Sequence, residues 1–227
     1  MNIMQDYLIT GVGGQGTVLA SKMIAAAAIN HGLKVRTTET IGMAQRGGSV
    51  VSHVRIGDII HSPLIPLGKA DAIIAFEPVE AVRCFPYLSP HGKMIVCDTI
   101  IKTVAPTTTD SAHARTQIAG NRADTAGTGA ADADAADAPP ADSVESILEY
   151  IKSYMPDAVV LPGDRIKEYS AKTLNVAILG AAAEYGLFPF SVAALKEVIL
   201  TLLPQRFWDV NTKSFELGRL VYNEIIG

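Results

Sequence analysis

Three glycines near the start of the chain have a spacing that suits the binding of an anion. Gly11, Gly13 and Gly16 satisfy the pattern G-x-G-x-x-G, directly after a short apolar run and directly before an alanine-rich one. A strand that turns through glycines into a helix gathers backbone N–H groups at the helix N-terminus, where a phosphate, a carboxylate or a partner's backbone can bind. Gly14 and Gln15 complete this glycine loop and make it wider and more polar than a minimal dinucleotide fingerprint.

Three interpretations of the glycine loop stay open. In the first, the loop holds the diphosphate of a dinucleotide, and Glu39 stands where an acidic residue would bind the ribose, about 20 residues further on. In the second, the loop faces a ligand or a partner protein. In the third, it is a tight strand-to-helix turn that serves packing alone. The second is preferred, because no set of residues for hydride transfer follows downstream.

A second glycine-containing segment, residues 39–49, follows the second predicted strand. Its chemistry-bearing residues after Glu39 are Gln45, Arg46, Gly47, Gly48 and Ser49. Because it follows the second strand, the segment should lie at the carboxyl edge of the sheet, beside the glycine loop. This is the edge at which open α/β sheets bind ligands. Arg46 offers a planar fork of donors for carboxylate or phosphate. A ligand-facing or partner-facing segment and a solvated surface loop fit this pattern about equally well.

The sequence predicts no catalytic residue and no metal site on this chain. The two cysteines, Cys84 and Cys97, stand in apolar surroundings, which predicts buried thiols. The histidines lack metal-ligand spacing, and the serines lack an evident His–Asp partnership. Glu77 ends a predicted strand just before Pro78, and we interpret it as the cap of the next helix.

The elements that must position these residues follow from the hydrophobic periodicity. Strands are predicted at residues 7–10, 34–38, 49–56, 70–76, 92–97 and 158–161, and helices at 17–29, 79–85, 144–154, 166–185, 192–203 and 211–226. The first strand, helix and second strand predict a parallel crossover, and the turn at Gly57 before Ile59 and Ile60 suggests a hairpin. The predicted fold class is a three-layer α/β domain with a mostly parallel, Rossmann-like sheet, a hairpin addition and a helical C-terminal segment.

Composition limits the classes of function. Of the 227 residues, 48% are hydrophobic and only 19% are charged, which predicts a large core and surface areas that another chain covers. A net charge of −4 argues against nucleic acid as a partner. No apolar stretch reaches the roughly 18 residues of a membrane span and no basic secretory start is present, so the prediction is a cytoplasmic protein.

Residues 105–143 differ in character from the rest of the chain. They are dominated by Ala, Asp, Thr and Gly and hold almost no large apolar side chains. Such a segment cannot offset its ordering entropy by burial. We therefore predict a disordered insertion there, within a single domain formed by residues 1–104 and 144–227.

Several motifs taken together resemble one family. They are the stretches at residues 11–16, 39–55, 75–78, 175–182 and 211–218. The chain resembles the small (beta) subunit of indolepyruvate:ferredoxin oxidoreductases and, more broadly, the gamma subunit or domain of 2-oxoacid:ferredoxin oxidoreductases. The resemblance covers nearly the whole chain except the insertion, and the stretch 45–49 is its most specific part.

This resemblance implies the oxidative decarboxylation of an aryl pyruvate such as indolepyruvate on thiamine diphosphate. Iron–sulfur clusters pass the electrons to ferredoxin, and coenzyme A takes the acyl group. The chain lacks a Gly-Asp-Gly…Asn motif for magnesium and diphosphate, and it lacks cluster-binding cysteines. Thiamine diphosphate, Mg and iron–sulfur clusters are therefore expected on a large (alpha) partner subunit, with none bound by this chain alone.

The expected role of the chain is to pack on the large subunit with both loops facing the junction, and it is not expected to be active alone. Ferredoxin and coenzyme A would be met through the complex, and a self-dimer is compatible with it. Two other functions stay open at this point. One is a stand-alone NAD(P)-binding protein that uses the glycine loop, and the other is a non-enzymatic assembly protein.

Overall fold

The fold is organised around one mixed sheet. The computed structural model describes residues 4–42, 48–100 and 143–227. Its six strands in these ranges are β1 (Met4–Val12), β2 (Val35–Ile41), β3 (Ser49–Gly57), β4 (Ala70–Ala75), β5 (Leu88–Cys97) and β6 (Val159–Leu161). The strand order is β2-β3-β1-β4-β5-β6. Neighbours from β1 to β6 pair in parallel, whereas β3 is antiparallel to both β1 and β2.

Helices cover both faces of this sheet. They are α1 (Thr17–Asn30), α2 (Pro78–Arg83), α3 (Val144–Tyr154), α4 (Gly163–Ile166), α5 (Leu174–Glu184), α6 (Val192–Leu202) and α7 (Trp208–Ile226). One apolar cluster joins α1, α5, α6 and α7 to the sheet, and a second joins α2 and α3 to the opposite face. Adjacent residues of β1 show both layers, since Leu8 packs in the second cluster and Ile9 in the first. The predicted three-layer α/β class is thus confirmed.

The predicted parallel crossover from the first strand to the second is wrong in one respect. β2 runs in the same direction as β1, but β3 lies between them and pairs with both. The β-branched residues of β3 explain its central position, because Val50, Val54 and Ile56 are all buried between its neighbours. Sequence order alone does not contain this insertion, since it depends on pairing between distant strands.

The hairpin is present but lies elsewhere than predicted. It is formed by β2 and β3, and its loop begins where the Gly42 N–H donates to the Ser49 carbonyl oxygen at 2.8 Å. Ile59 and Ile60 do not form a strand. Two prolines, Pro63 and Pro66, stand in this connection and cannot donate to a ladder.

The predicted helix over residues 166–185 is divided in two. α4 ends at Ile166 and α5 begins at Leu174, and between them the Ser170 side chain accepts a hydrogen bond from Lys172 N at 3.1 Å. This local side-chain bond competes with helix continuation. α5 is apolar all round because it is covered on every side, and nine of its residues are buried.

Two predictions fall mainly or wholly outside the described residues. They are the disordered insertion at residues 105–143, of which only Ser143 is described, and the central part of the second loop, residues 43–47. Ser143 caps α3 by accepting a hydrogen bond from Ser146 N at 3.2 Å. Among the described helices, none combines the length and the hydropathy that a membrane crossing requires.

Candidate functional site

The glycine loop makes the turn between β1 and α1, as its sequence predicts. β1 ends at Val12 and α1 begins at Thr17. Gly14 and Gly16 have φ angles of +100° and +83°, in the left-handed region that side chains other than glycine's rarely adopt. The backbone shape of this turn therefore requires glycine at both positions.

Gln15 stabilises the turn from within the chain. Its Oε1 accepts a hydrogen bond from Val12 N at 2.8 Å, and its Nε2 donates to the Phe76 carbonyl oxygen at 3.1 Å. The side chain is buried, and it links the ends of β1 and β4. A Cβ on Gly11 would lie 2.5 Å from Gln15 Oε1, so that glycine makes room for the link.

The N-terminus of α1 is open. Gly16 provides no side-chain cap, and the first turn contains no acidic residue. The first N–H groups of a helix have no intrahelical acceptor, and the helix dipole makes this end partially positive. An open cavity of about 390 Å³ lies here, lined by Gly13, Gly14, Gly16, the start of α1 as far as Lys22, and Val50.

A buried amide stands beside this helix end. Asn175, at the start of α5, is only 4% exposed, and its Nδ2 lies 2.8 Å from the position that a Cβ on Gly16 would take. Within the part of the chain that the structure describes, its side chain has no hydrogen-bond partner. A polar ligand at the helix end would give this amide a hydrogen-bond partner.

The C-terminal end of the second loop meets the glycine loop. Gly13 N donates to the Gly48 carbonyl oxygen at 2.9 Å, and Ser49 Oγ donates to Glu80 Oε2 at 2.5 Å. These contacts bring the described end of the second loop to the cavity edge. Gln45, Arg46 and Gly47 lie outside the described residues, and their roles stay predictions.

Glu39 does not stand where a dinucleotide ribose would be bound. It lies on β2, exposed, and β3 separates it from β1. Two strand spacings put it about 10 Å from β1, and the wall of the cavity on that side is Val50. The strand order therefore argues against the interpretation of the glycine loop as a stand-alone NAD(P) site.

Glu77 caps α2, as predicted, because its Oε2 accepts a hydrogen bond from Glu80 N at 2.9 Å. Burial raises the pKa of the Glu77 carboxyl to about 7. Burial likewise raises the pKa of the Cys84 thiol to about 12 and that of the Cys97 thiol above its ordinary value. The two cysteines belong to apolar clusters on opposite faces of the sheet.

The sequence analysis assigned no role to three residues near this edge. They are Lys22, Asn175 and Glu80. Lys22 gave no signal in the sequence, because a lysine at an exposed position of a helix is ordinary. The signal at Asn175 was its place as a polar residue at the start of an otherwise apolar helix.

Among residues 4–42, 48–100 and 143–227, no group of three or more His, Cys, Asp or Glu side chains is arranged to hold a metal.

Known proteins are similar in sequence to this chain along nearly its whole length. Indolepyruvate oxidoreductase subunit IorB of Thermococcus kodakarensis is 32% identical over 228 residues, covering 99% of this chain and 100% of the relative. IorB of Archaeoglobus fulgidus is 35% identical over 223 residues, covering 97% and 95%.

Solved structures share the fold. The gamma subunit of a keto/oxoacid ferredoxin oxidoreductase from Geobacter sulfurreducens gives a TM-score of 0.59 at 19% identity, covering 97% of this chain and 99% of that one. A 2-oxoglutarate:ferredoxin oxidoreductase from Magnetococcus marinus gives 0.62 at 19% identity, covering 97% of this chain but 31% of the longer one. The same fold thus occurs as a separate subunit and as part of a larger polypeptide.

A family model described as pyruvate ferredoxin/flavodoxin oxidoreductase matches residues 6–221, which is nearly the whole chain. The match includes both glycine-bearing loops, the cap at Glu77 and the helix that carries Asn175. The chain therefore belongs to the pyruvate ferredoxin/flavodoxin oxidoreductase family.

Proposed function

We propose that this chain is the small subunit of a thiamine-diphosphate-dependent 2-oxoacid:ferredoxin oxidoreductase that acts on indolepyruvate or a similar aryl pyruvate. The proposal is supported by full-length similarity to small subunits named indolepyruvate oxidoreductase subunit IorB. In the complex, a 2-oxoacid is oxidatively decarboxylated to an acyl-CoA, and ferredoxin receives the electrons. We place the complex in the cytoplasm.

The redox groups are assigned to a large partner subunit. A single [4Fe–4S] cluster is held by about four thiolates, whereas the whole sequence contains two cysteines. Both are buried, on opposite faces of the sheet, so they cannot ligate one cluster together. We accordingly expect thiamine diphosphate, Mg and the clusters on the large subunit, and no activity from this chain alone.

One observation carries the role of this chain at the junction: the open cavity at the N-terminus of α1. Backbone N–H groups, the Lys22 ammonium and the unpartnered Asn175 amide are donors that suit a phosphate. Coenzyme A, the acyl acceptor of the proposed reaction, carries a diphosphate. We infer that the glycine loop binds that diphosphate, with Val50 forming the adjacent wall.

The surroundings of the cavity favour a site that a second protein completes. Leu19, on the cavity wall, is 37% exposed, and Ile41 is 65% exposed beside Val50, its partner in the β2–β3 ladder. Exposed apolar side chains beside a cavity are typical of protein interfaces. The large subunit is the partner expected to cover them.

The test is reconstitution with the large subunit encoded in the same organism. The purified complex should reduce ferredoxin when indolepyruvate and coenzyme A are supplied, and each subunit alone should be inactive. Turnover by this chain alone, or a complex that turns over without coenzyme A, would contradict the proposal. Iron analysis of the separate subunits should place all the iron on the large one.

A variant of Lys22 tests the anion site within that complex. Loss of one charged hydrogen bond weakens binding by about 1.5–3 kcal/mol, so Lys22→Ala should raise the KM for coenzyme A roughly 10-fold or more. Lys34→Ala is the matched control, because Lys34 lies at the opposite edge of the sheet and bonds the Asp58 carbonyl oxygen. Equal effects of the two variants would indicate a general charge effect instead of a site.

A further inference from the structure

Two buried carboxyl groups lie beneath the second loop, on the α2 side of the sheet. Glu77 and Glu80 are 4% and 3% exposed. Glu77 begins α2 by accepting the Glu80 N–H, and Arg83 Nη1 lies 3.2 Å from Glu80 Oε1. Buried charge is unfavourable unless it is paired and hydrogen-bonded. Glu80 therefore occupies a fixed position, held at both its backbone and its carboxylate.

The second oxygen of Glu80 is used to hold β3. Its Oε2 accepts the hydrogen bond from Ser49 Oγ at 2.5 Å. Ser49 is the first residue of β3, and neighbouring residues of a strand point to opposite faces. With Ser49 fixed towards α2, the next residue, Val50, points to the α1 side, where it forms a wall of the cavity.

A continuous path leads from Glu80 to the glycine loop. Gly48, the residue before Ser49, accepts the hydrogen bond from Gly13 N through its carbonyl oxygen, and Gly13 lines the same cavity. The Ser49–Glu80 bond thus acts together with the β1–β3 ladder, in which Ser49 pairs with Val12, to position Gly48 and Val50 against the N-terminus of α1. Glu80 itself lies on the other side of the sheet and does not line the cavity.

We propose that Glu80 is a positioning residue, which acts through Ser49 to hold the glycine loop in the geometry that binds the anion. The proposal deepens the proposed function and rests on it for its catalytic consequence. Its structural part, the control of the Gly13–Gly48 contact by the Ser49–Glu80 bond, stands without that function.

The first experiment measures this contact directly, in the full-length chain without its partner. In Ser49→Ala, hydrogen–deuterium exchange followed by NMR should show the Gly13 amide exchanging at least 10-fold faster, because its acceptor is released. Ser52→Ala is the matched control, since Ser52 lies in the same strand, is fully buried, and has an Oγ without a partner in the described ranges. Ser49→Thr, which keeps the hydroxyl, should restore slow exchange.

The second experiment measures function in the reconstituted complex. Ser49→Ala should raise the KM for coenzyme A about 10-fold with kcat within a factor of 2, and Ser49→Thr should return KM to within a factor of 2 of the parent. Glu80→Gln should raise KM in the same direction, and the Ser49→Ala, Glu80→Gln double variant should be no worse than the more impaired single variant.

The outcomes distinguish the positioning role of Glu80 from the proposed anion site. Unchanged exchange at Gly13 in both Ser49→Ala and Glu80→Gln would overturn the positioning role, whatever the kinetics. Faster exchange at Gly13 with an unchanged KM for coenzyme A would support the structural path and contradict the proposed anion site. Additive losses in the double variant would show that Glu80 does not act through Ser49.

Discussion

Among single residues, Glu77 has the clearest consequence for the pH dependence of stability. Burial raises the pKa of its carboxyl from 4.5 to about 7, so the folded chain binds this proton more tightly than the unfolded chain does. The free energy of unfolding should therefore fall as pH rises from about 4.5 to 7, and the deficit should persist above pH 7. This shift of the Glu77 pKa corresponds to a difference of roughly 3 kcal/mol in the free energy of unfolding.

The variant Glu77→Gln tests this directly. Its amide oxygen can still accept the Glu80 N–H, so the cap is kept while the titration is removed. Urea unfolding of the variant at pH 8 should give a free energy of unfolding roughly 3 kcal/mol higher than that of the parent, and its slope between pH 4.5 and 7 should flatten. Glu149→Gln, at an exposed position of α3, removes the same charge and should change neither quantity.

The glycine turn could be read from residue types alone, because left-handed φ angles at Gly14 and Gly16 have a local chemical signature. The role of Gln15 could not be predicted in this way, since its partner Phe76 follows β4, far along the chain. Asn175 is a stronger case, because its position against Gly16 depends on how α5 packs. Contacts made across the fold leave no signal in the spacing of neighbouring residues.

At the scale of elements, the closest packing is the crossing of α5 and α7. A Cβ on Gly218 would lie 1.8 Å from the Ala177 carbonyl oxygen, and one on Gly180 would lie 2.1 Å from the Phe215 carbonyl oxygen. The two backbones touch without intervening side chains. Each glycine therefore sets the distance between the helices, in a way that no flexible side chain could relieve.

Gly218→Ala should separate the two helices and lower the free energy of unfolding. Overpacking of this kind costs about 1–3 kcal/mol, which outweighs the roughly 1 kcal/mol by which alanine favours a helix over glycine. Thermal or urea unfolding measures the net loss. Lys213→Ala in the same helix, where Lys213 is 53% exposed, should stay within about 0.5 kcal/mol of the parent.

Element types were predictable where local signals were strong: a short apolar run in β1, alanines of high helix propensity in α1, and the N-cap Ser191 before α6. The order of the strands in the sheet was harder to predict. The alternation in β3 indicated a strand, but its place between β1 and β2 follows from antiparallel pairing that both neighbours share. The break between α4 and α5 depends on Ser170, whose side chain bonds its own neighbourhood, and apolar periodicity continues across it.

At the scale of the whole molecule, the two ends of the central strands differ in what they offer a partner. Ile41 ends β2 on the side of the sheet where β1 ends and the cavity lies, whereas Ile59 follows β3, which runs the other way and ends on the opposite side. They are similarly exposed, at 65% and 61%. The proposed junction with the large subunit involves only the side where β1 ends, so this pair of isoleucines distinguishes the two surfaces.

Ile41→Glu should weaken assembly with the large subunit at least 10-fold, because a charge would be buried against apolar surface. Ile59→Glu should leave assembly unchanged. Both variants should keep the free energy of unfolding of this chain within about 0.5 kcal/mol. Calorimetric titration of the large subunit provides the measurement, and equal weakening by both variants would place the contact elsewhere.

The larger apolar cluster joins residues from the two ends of the chain, since Tyr7 of β1 and Val221 of α7 belong to it together. A ribosome releases the first of these long before the second. Until α5, α6 and α7 have been made, α1 alone covers this face of the sheet, and the rest of the apolar face is open to aggregation. Aggregation during synthesis is thus a greater hazard for this fold than aggregation after folding.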